Sequence, residues 1–271
     1  MKTQAQKAFR SVRLGDGLAT LFAVLLLAFL AGKLVAVRTP EHGDQAAYLE
    51  LAVHLAAGEG FVTKTLSPFY PTKEITHPES IRQPLLPLLL SLSAGQDLSF
   101  FLRAKWWVWS LSALCLIVLY LSIRRVWGRQ AAFLTVALLG LNPHFHTYAS
   151  EVWCENLLIL WTTAAGILIH EYFRSERRQP LGRPLGIAGA ATALGYYTKA
   201  SAAALGIAFG GVCLVRLVRS LLRRESNERI IRWSLAPLAR FVLPFGLLLL
   251  PYVILNVVNT GTLLRNRDLQ A

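Results

Sequence analysis

Residues 17–37 read GLATLFAVLLLAFLAGKLVAV, an apolar run with one charged side chain, Lys33. A helix that crosses a bilayer needs roughly 20 mostly apolar residues, so this run is long enough to span a membrane. Basic residues precede the run, which is also the order of a secretory signal peptide. No cleavage site of small residues follows it, however, and many more apolar segments do. We therefore predict that residues 17–37 form an uncleaved first membrane helix.

Further apolar runs follow along the chain. They cover residues 105–123, 130–141, 150–171, 184–197, 202–218 and 236–256. The composition agrees with them, because 54% of the 271 residues are hydrophobic, only 16% are charged, and the mean hydropathy is +0.46. A soluble domain needs a more polar surface, and a disordered chain holds fewer apolar residues. We predict an all-α, polytopic membrane protein with about seven transmembrane helices.

The charge distribution gives that bundle an orientation. The chain carries 28 Lys and Arg residues against 15 Asp and Glu residues, a net charge of +13. If seven helices alternate from a cytoplasmic N-terminus at residues 1–16, the cytoplasmic side receives 18 basic and 5 acidic residues, and the outer side receives 10 of each. This asymmetry follows the positive-inside rule. We therefore expect no nucleic-acid partner, and an integral protein of a bacterial inner (plasma) membrane.

The outer connection between the first two membrane helices, residues 38–104, is long. Long structured loops usually carry function. Residues 44–57 contain neither Gly nor Pro and are rich in Ala and Leu, which favours a helix. A second, short helix is predicted over residues 84–94, and both helices are expected to lie in the membrane interface. Residues 105–256 then form the remaining helices of a single membrane domain, residues 1–271.

Charged side chains occur at the predicted outer ends of the helices, where an apolar environment makes charge costly. Glu151 and Glu155 are four residues apart, so they share one helix face. Lys199 follows the fifth apolar run, and Asp44 and Arg82 lie in the outer connection. In the predicted topology all five residues meet at the outer face of the membrane, which indicates a functional site.

Each of these residues also has a structural interpretation. Asp44 could cap the helix that follows it, because Asp is a preferred N-cap residue. Glu151 suits the dipole at the start of a helix, whereas Glu155 lies one turn deeper, where that explanation weakens. Lys199 could extend towards the lipid headgroups. Arg82 could bind a lipid phosphate without taking part in chemistry.

The cysteines and histidines indicate neither a disulfide framework nor a metal centre. Cys115, Cys154 and Cys213 each lie in or beside an apolar run, which is typical of small core residues. His144 and His146 flank Phe145 with a spacing that resembles a metal site only weakly. We therefore predict no metal ligands.

Short segments, taken in order, carry a family resemblance. They are DQAAY at 44–48, RQPLLP at 82–87, the turn from Asn142 to Glu155, GYYTKA at 195–200, and Leu250, Pro251 and Tyr252 ahead of Asn256 and Gly261. Together they resemble the GT-C membrane glycosyltransferases, in the branch of the protein O-mannosyltransferases and aminoarabinose transferases (glycosyltransferase families 39 and 83). The resemblance covers about residues 15–262. Gln45 stands where that family usually has a second acid, which weakens the case for metal coordination there.

The resemblance implies an inverting transfer of a sugar from a polyprenyl-phosphate donor to an acceptor on the non-cytoplasmic face. Asp44 would be the catalytic base. Arg82 and Lys199 would bind the donor phosphate and stabilise its growing charge. The other predicted site residues would orient the substrates: Glu155, Glu151, Tyr48 and Tyr197. An apolar groove would hold the polyprenyl chain. No cofactor is implied, and a divalent metal is possible but not indicated.

Other classes of function remain open from the sequence. The chain is shorter than typical members of that family, so it could be a truncated enzyme, a fragment or one half of an assembly. Gln45 and the short length favour a non-catalytic lipid-linked-sugar binding or accessory subunit of a glycosylation complex, with a partner membrane subunit. A transporter or flippase is a third class, but inverted repeats are not evident and the charges gather at one face instead of the bilayer midplane. The acceptor is left open.

Overall fold

The computed structural model describes residues 2–37, 39–40, 42–64, 76–79, 82–97, 99–175 and 183–260. The predicted segment at Gly261 and parts of the outer connection, residues 65–75 and 80–81, lie outside these ranges. The elements in chain order are α1 (Lys2–Ala36), α2 (Gly43–Ala56), β1 (Val62–Thr63), β2 (His77–Pro78), α3 (Leu85–Ser91), α4 (Ser99–Trp127), α5 (Arg129–Gly140), α6 (Pro143–Ser150), α7 (Glu155–Ser175), α8 (Arg183–Thr198), α9 (Ala203–Leu222), α10 (Asn227–Ile230) and α11 (Ala236–Thr260). A 3₁₀ turn, Ala200–Ala202, precedes α9, and a π-helical turn, Ile231–Leu235, precedes α11. The prediction of an all-α membrane protein is confirmed.

The seven predicted apolar runs all fall on helices, but fewer of these helices have full spanning length. Within the described ranges, α4, Ala200–Leu222 and Asn227–Val258 are long and apolar enough to cross a membrane. The pair α6 and α7, bent by 111° between Ser150 and Glu155, counts as a fourth if it forms one broken span. The apolar part of α1, Thr20–Ala36, and α5 are shorter. Helix α5, with 12 residues, falls below the roughly 20 residues that a perpendicular crossing requires, whereas the apolar run of α1 extends back to Gly17 in the sequence.

Helix α4 starts earlier than predicted, at Ser99 instead of residue 105, because its charged residues find partners. Arg103 pairs with Asp97 at 2.9 Å and donates to the carbonyl of Ser93. Lys105 is fully buried, and its Nζ donates to the carbonyls of Leu34 and Val37 at the end of α1. These carbonyls have no partner within α1 itself, so a buried ammonium is a favourable cap.

The outer helices α2 and α3 form a layer against the start of α4. Tyr48 and Ala52 of α2 pack with Leu86 and Leu90 of α3 and with Phe101 of α4. Helix α2 therefore buries one face in protein. Its bounds differ by one residue from the predicted 44–57.

Helix α3 is shorter than the predicted 84–94. It ends at Ser91. There the hydroxyls of Ser91 and Ser93 donate hydrogen bonds to the last carbonyls of the helix, those of Leu88 and Leu90. The strands β1 and β2 form an antiparallel pair after α2, in which Val62 faces Pro78. This pair brings Glu79 and Arg82 back towards α2.

A second core joins α7, α8, α9 and α11. Buried Tyr172, Phe209 and Phe241 belong to it. Gly189 of α8 lies directly against the backbone of Phe241, so that an added Cβ would overlap its carbonyl oxygen. The close approach of α8 and α11 therefore requires glycine at this position.

Replacing Gly189 by Ala is expected to destabilise the protein by about 1–3 kcal/mol, the usual cost of overpacking, because α8 and α11 must separate. Thermal unfolding of the purified protein in detergent measures this loss. Gly186→Ala on the same helix is the matched control, because its Cβ would lie 3.8 Å from Pro244 Cγ, an ordinary contact. An equal loss of stability in the two variants would contradict the packing argument.

Candidate active site

Asp44 lies in the first turn of α2, where it contacts Arg82 and does not cap the helix. The N-cap residue is His42, and no side chain caps this end. Asp44 Oδ1 accepts a hydrogen bond from Arg82 Nη2 at 2.6 Å. The Asp44 side chain is 55% exposed, whereas that of Arg82 is 17% exposed. A solvent-accessible carboxylate is therefore held by a mostly buried guanidinium.

Glu79 is a second carboxylate on Arg82, and sequence reasoning missed it. Its side chain is fully buried; Oε1 accepts from the Arg82 backbone N–H at 3.1 Å and Oε2 lies 3.4 Å from Arg82 Nη1. Burial lowers the pKa of Arg82, but the hydrogen bond that it donates to Asp44 and the charges of Glu79 and Asp44 outweigh this effect, so the net pKa is raised. Arg82 is thus a permanently charged bridge between two carboxylates.

A second ion pair joins α7 to the end of α8. Lys199 Nζ donates to Glu155 Oε1 at 2.8 Å, from the break between α8 and the 3₁₀ turn. The hydrogen bond with Glu155 raises the pKa of Lys199 more than burial lowers it. The other oxygen, Glu155 Oε2, is buried and has no hydrogen-bond donor in the part of the chain that the structure describes. Glu155 therefore keeps capacity to accept a further hydrogen bond.

Tyr48 links the two ion pairs. It is buried, and its hydroxyl donates to Cys154 Sγ at 3.3 Å. Burial above all, and then the neighbouring Cys154 thiol and the carboxylates of Glu155 and Asp44, raise the pKa of this phenol. Because Tyr48 lies on α2 one turn after Asp44, and Cys154 directly precedes Glu155, this hydrogen bond joins the elements that carry the two ion pairs. The sequence prediction that Asp44, Arg82, Glu155 and Lys199 converge thus has a structural counterpart around Tyr48.

Glu151 lies in the extended break between α6 and α7, so it does not share a helix face with Glu155 as predicted. It is buried, and its Oε2 accepts from Gln45 Nε2 at 2.6 Å and from Trp153 Nε1 at 3.0 Å. Gln45 stands where the resembling family has an acid. An amide can donate to Glu151, whereas a carboxylate there would place two like charges in a buried site. Glu151 and Gln45 therefore position α2 against the turn before α7.

A row of aromatic rings runs along the same face, and sequence reasoning did not select it. His42 and Trp153 have ring centroids 5.4 Å apart, Trp153 and Tyr148 6.1 Å, and Tyr148 and His144 6.3 Å. His42 adjoins the start of α2, and Tyr148 interacts electrostatically with Lys199. The available signal was the density of aromatic and histidine residues in the turn from Asn142 to Glu155. We name these four residues the aromatic row.

Other predicted residues lie apart from this cluster. Tyr197 donates to the carbonyl of Leu248 at 2.7 Å and packs against Tyr252, so its contacts join α8 to α11. The imidazole Nε2 of His146 is 2.5 Å from the carbonyl oxygen of Gly140. Among the described residues no group of three or more His, Cys, Asp or Glu side chains could hold a metal ion.

The sequence also predicted buried core cysteines and an apolar groove for a polyprenyl chain. Cys115, Cys154 and Cys213 are free and buried, as predicted for core residues. An apolar groove of about 310 Å³ lies between α1, α4 and α5, with Tyr120 and Arg124 at its lining. Arg124 is near the end of α4 that is remote from Ser99, so this groove does not adjoin the two ion pairs.

Comparison with known proteins was informative at the family level. A family model described as dolichyl-phosphate-mannose-protein mannosyltransferase matches residues 99–256, which is more than half of the chain. No curated protein and no solved structure matches the chain. The matched segment runs from α4 to α11 and includes Glu155 and Lys199, whereas Asp44 and Arg82 precede it.

Proposed function

Because the chain belongs to the dolichyl-phosphate-mannose-protein mannosyltransferase family, and so to the membrane glycosyltransferases of the GT-C type, we propose that it transfers a sugar from a polyprenyl-phosphate donor to an acceptor on the non-cytoplasmic face, with inversion. The observation that carries this proposal is the grouping of two ion pairs, Asp44 with Arg82 and Glu155 with Lys199, around Tyr48. The grouping provides a base, two cations and a hydrogen-bond acceptor within one region.

Asp44 has the properties of the general base in this proposal. One oxygen is held by Arg82, and the side chain is accessible to an acceptor. As the acceptor hydroxyl attacks the anomeric carbon, its proton passes to the Asp44 carboxylate. The bond between the anomeric carbon and the phosphate oxygen breaks, and its electron pair stays on the phosphate. Attack from the face opposite the leaving group inverts the anomeric centre.

The leaving phosphate gains negative charge during this step, and Arg82 and Lys199 are the cations proposed to stabilise it. Both are already oriented by carboxylates, so little reorganisation is needed at the moment of reaction. The guanidinium of Arg82 can present two N–H groups to phosphate oxygens, whereas Lys199 acts as a point charge.

The sugar and the acceptor hydroxyls would be positioned by Glu155 and by the aromatic row. Glu155 Oε2 can accept from a hydroxyl, and the rings of Tyr148 and Trp153 offer partly exposed apolar surfaces with polar edges. Glu151, Gln45 and Tyr48 are proposed to hold these groups in place. The membrane is proposed to be a bacterial inner membrane, with the N-terminus cytoplasmic.

The proposal is tested by incubating the full chain in proteoliposomes with a radiolabelled polyprenyl-phosphate mannose and an extract of bacterial membrane proteins and lipids as the source of acceptor. We expect release of polyprenyl phosphate with transfer of the label, and an anomeric configuration in the product opposite to that of the donor. Donor binding without turnover would instead support a non-catalytic accessory subunit. The observation that favours this alternative is Gln45, which stands where the family usually has an acid. A product that retains the donor configuration would exclude the single inverting step.

A further inference from the structure

A basic pocket of about 280 Å³ lies at the end of α9 that is remote from Lys199. Its lining residues are Arg216, Arg219, Ser220, Arg223, Glu225, Trp233 and Ser234. The three arginines are spaced three and four residues apart on α9, so their side chains share one helix face. We name this cavity the arginine pocket.

The opposite wall of the arginine pocket is the π-helical turn, Ile231–Leu235. Turns of this kind are rare and are frequently found at functional sites. Ser234 of this turn lines the pocket and is only 1% exposed, and its Oγ has no hydrogen-bond partner among the residues that the structure describes. Because buried hydroxyls are normally satisfied, this hydroxyl points to a ligand with an accepting oxygen.

The charge of the arginine pocket favours an anionic ligand, because its lining carries three arginines and one carboxylate. Glu225 is the one acidic side chain at its lining, and across the described ranges no ion pair joins it to Arg219 or Arg223. The guanidinium of Arg216 lies over the ring of Phe173, 4.7 Å from its centroid, which fixes the orientation of that cation. Guanidinium groups presented together on one wall bind phosphate oxygens with paired hydrogen bonds.

The location of the pocket identifies the source of that anion. It lies at the junction of two helices that are long and apolar enough to cross a membrane, and the ends of spanning helices face the lipid headgroups. Leu214 and Val215 of α9 are 59% and 67% exposed one turn before Arg219, so acyl chains can lie along α9 on the bilayer side of the pocket. Trp233 is a typical residue of this interface. The volume is below the roughly 300–1,000 Å³ of sites that enclose whole small-molecule ligands, and it suits a headgroup whose tails remain in the bilayer.

We propose that the arginine pocket binds the phosphate headgroup of an anionic phospholipid, at the membrane face predicted to be cytoplasmic. The phosphate oxygens accept hydrogen bonds from the guanidinium groups of Arg219 and Arg223, and from the Ser234 hydroxyl. Basic pockets between membrane helices recognise anionic headgroups in this way. This inference is independent of the proposed transfer reaction, because the pocket and the Asp44 site lie at opposite ends of the helices.

Native mass spectrometry of the full chain in detergent, titrated with phosphatidylglycerol or phosphatidylcholine, tests this proposal. We expect the wild type to retain phosphatidylglycerol selectively. The double variant Arg219→Gln and Arg223→Gln should weaken that binding by about tenfold or more, since each basic residue contributes on the order of a factor of five. Ser234→Ala should weaken it severalfold without any change of charge.

The matched control is the double variant Arg229→Gln and Arg240→Gln, which removes the same charge at the same end of the helices but outside the pocket. Equal losses in the two double variants would overturn the proposal, because they would indicate general surface charge. Displacement of bound lipid by millimolar glycerol phosphate would also overturn it, in favour of a water-soluble phosphate. Thermal unfolding of each variant confirms that the fold is retained.

Discussion

Asp44→Asn is expected to lower the rate of sugar transfer by about 10²–10⁴-fold, the contribution typical of a general base, while leaving the fold intact. The amide oxygen of Asn can still accept the hydrogen bond from Arg82 Nη2, so the contact at 2.6 Å is retained. The amide cannot take the proton of the acceptor hydroxyl. The loss should therefore appear in turnover, with donor binding little changed.

Single-turnover release of polyprenyl phosphate from a labelled donor measures this effect. Asp97→Asn is the matched control, because Asp97 is also 55% exposed and also pairs with an arginine, Arg103, at 2.9 Å. Its pKa is lowered chiefly by the hydrogen bond from Arg103, so it remains a carboxylate throughout the neutral range. We expect the Asp97 variant to retain full turnover. A comparable rate in Asp44→Asn would remove Asp44 from the role of base.

The apolar runs predicted the helices because hydrophobicity is a local property of the sequence. The run at 236–256, for example, lies within α11. The start of α4 was missed because Arg103 enters the helix through its contacts with Asp97 and the carbonyl of Ser93, and such partners are not visible in the composition of the run. The run at 150–171 was predicted as one helix, whereas the chain is extended at Glu151 and α7 begins only at Glu155.

The predicted membrane topology placed the charged residues on one face of the membrane, but it could not predict which of them form ion pairs. Asp44 and Arg82 are 38 residues apart, and Glu155 and Lys199 are 44 apart, so no local spacing joins them. Glu79 lay in a segment without periodicity, and its burial depends on the strand pair that returns the chain to α2. Tyr197 was predicted to orient the substrates because it lies two residues before Lys199 in the sequence, whereas its side chain faces α11.

A test of Arg82 needs two substitutions, because this residue also neutralises the buried carboxylate of Glu79. Arg82→Ala removes the guanidinium from the fully buried carboxylate of Glu79, and breaking a buried pair costs about 3–5 kcal/mol. Loss of activity in that variant would therefore report on folding as much as on catalysis. Adding Glu79→Gln removes the buried charge, so the double variant Arg82→Ala and Glu79→Gln should recover most of the lost stability in thermal unfolding.

That double variant is expected to lower kcat/KM for the donor by about 10²–10³-fold, because the growing charge of the leaving phosphate loses its paired hydrogen bonds. Arg82→Lys should show a smaller but clear loss, since an ammonium keeps the charge but cannot bridge Glu79, Asp44 and a phosphate together. Glu79→Gln alone should stay close to wild type, and Arg103→Gln, at the exposed ion pair with Asp97 near the start of α4, should have no effect. Turnover measured over a range of donor concentrations separates these cases. If the stable double variant depended on donor as the wild type does, Arg82 would be a structural residue that holds Asp44 and Glu79, and the phosphate contact would fall to Lys199.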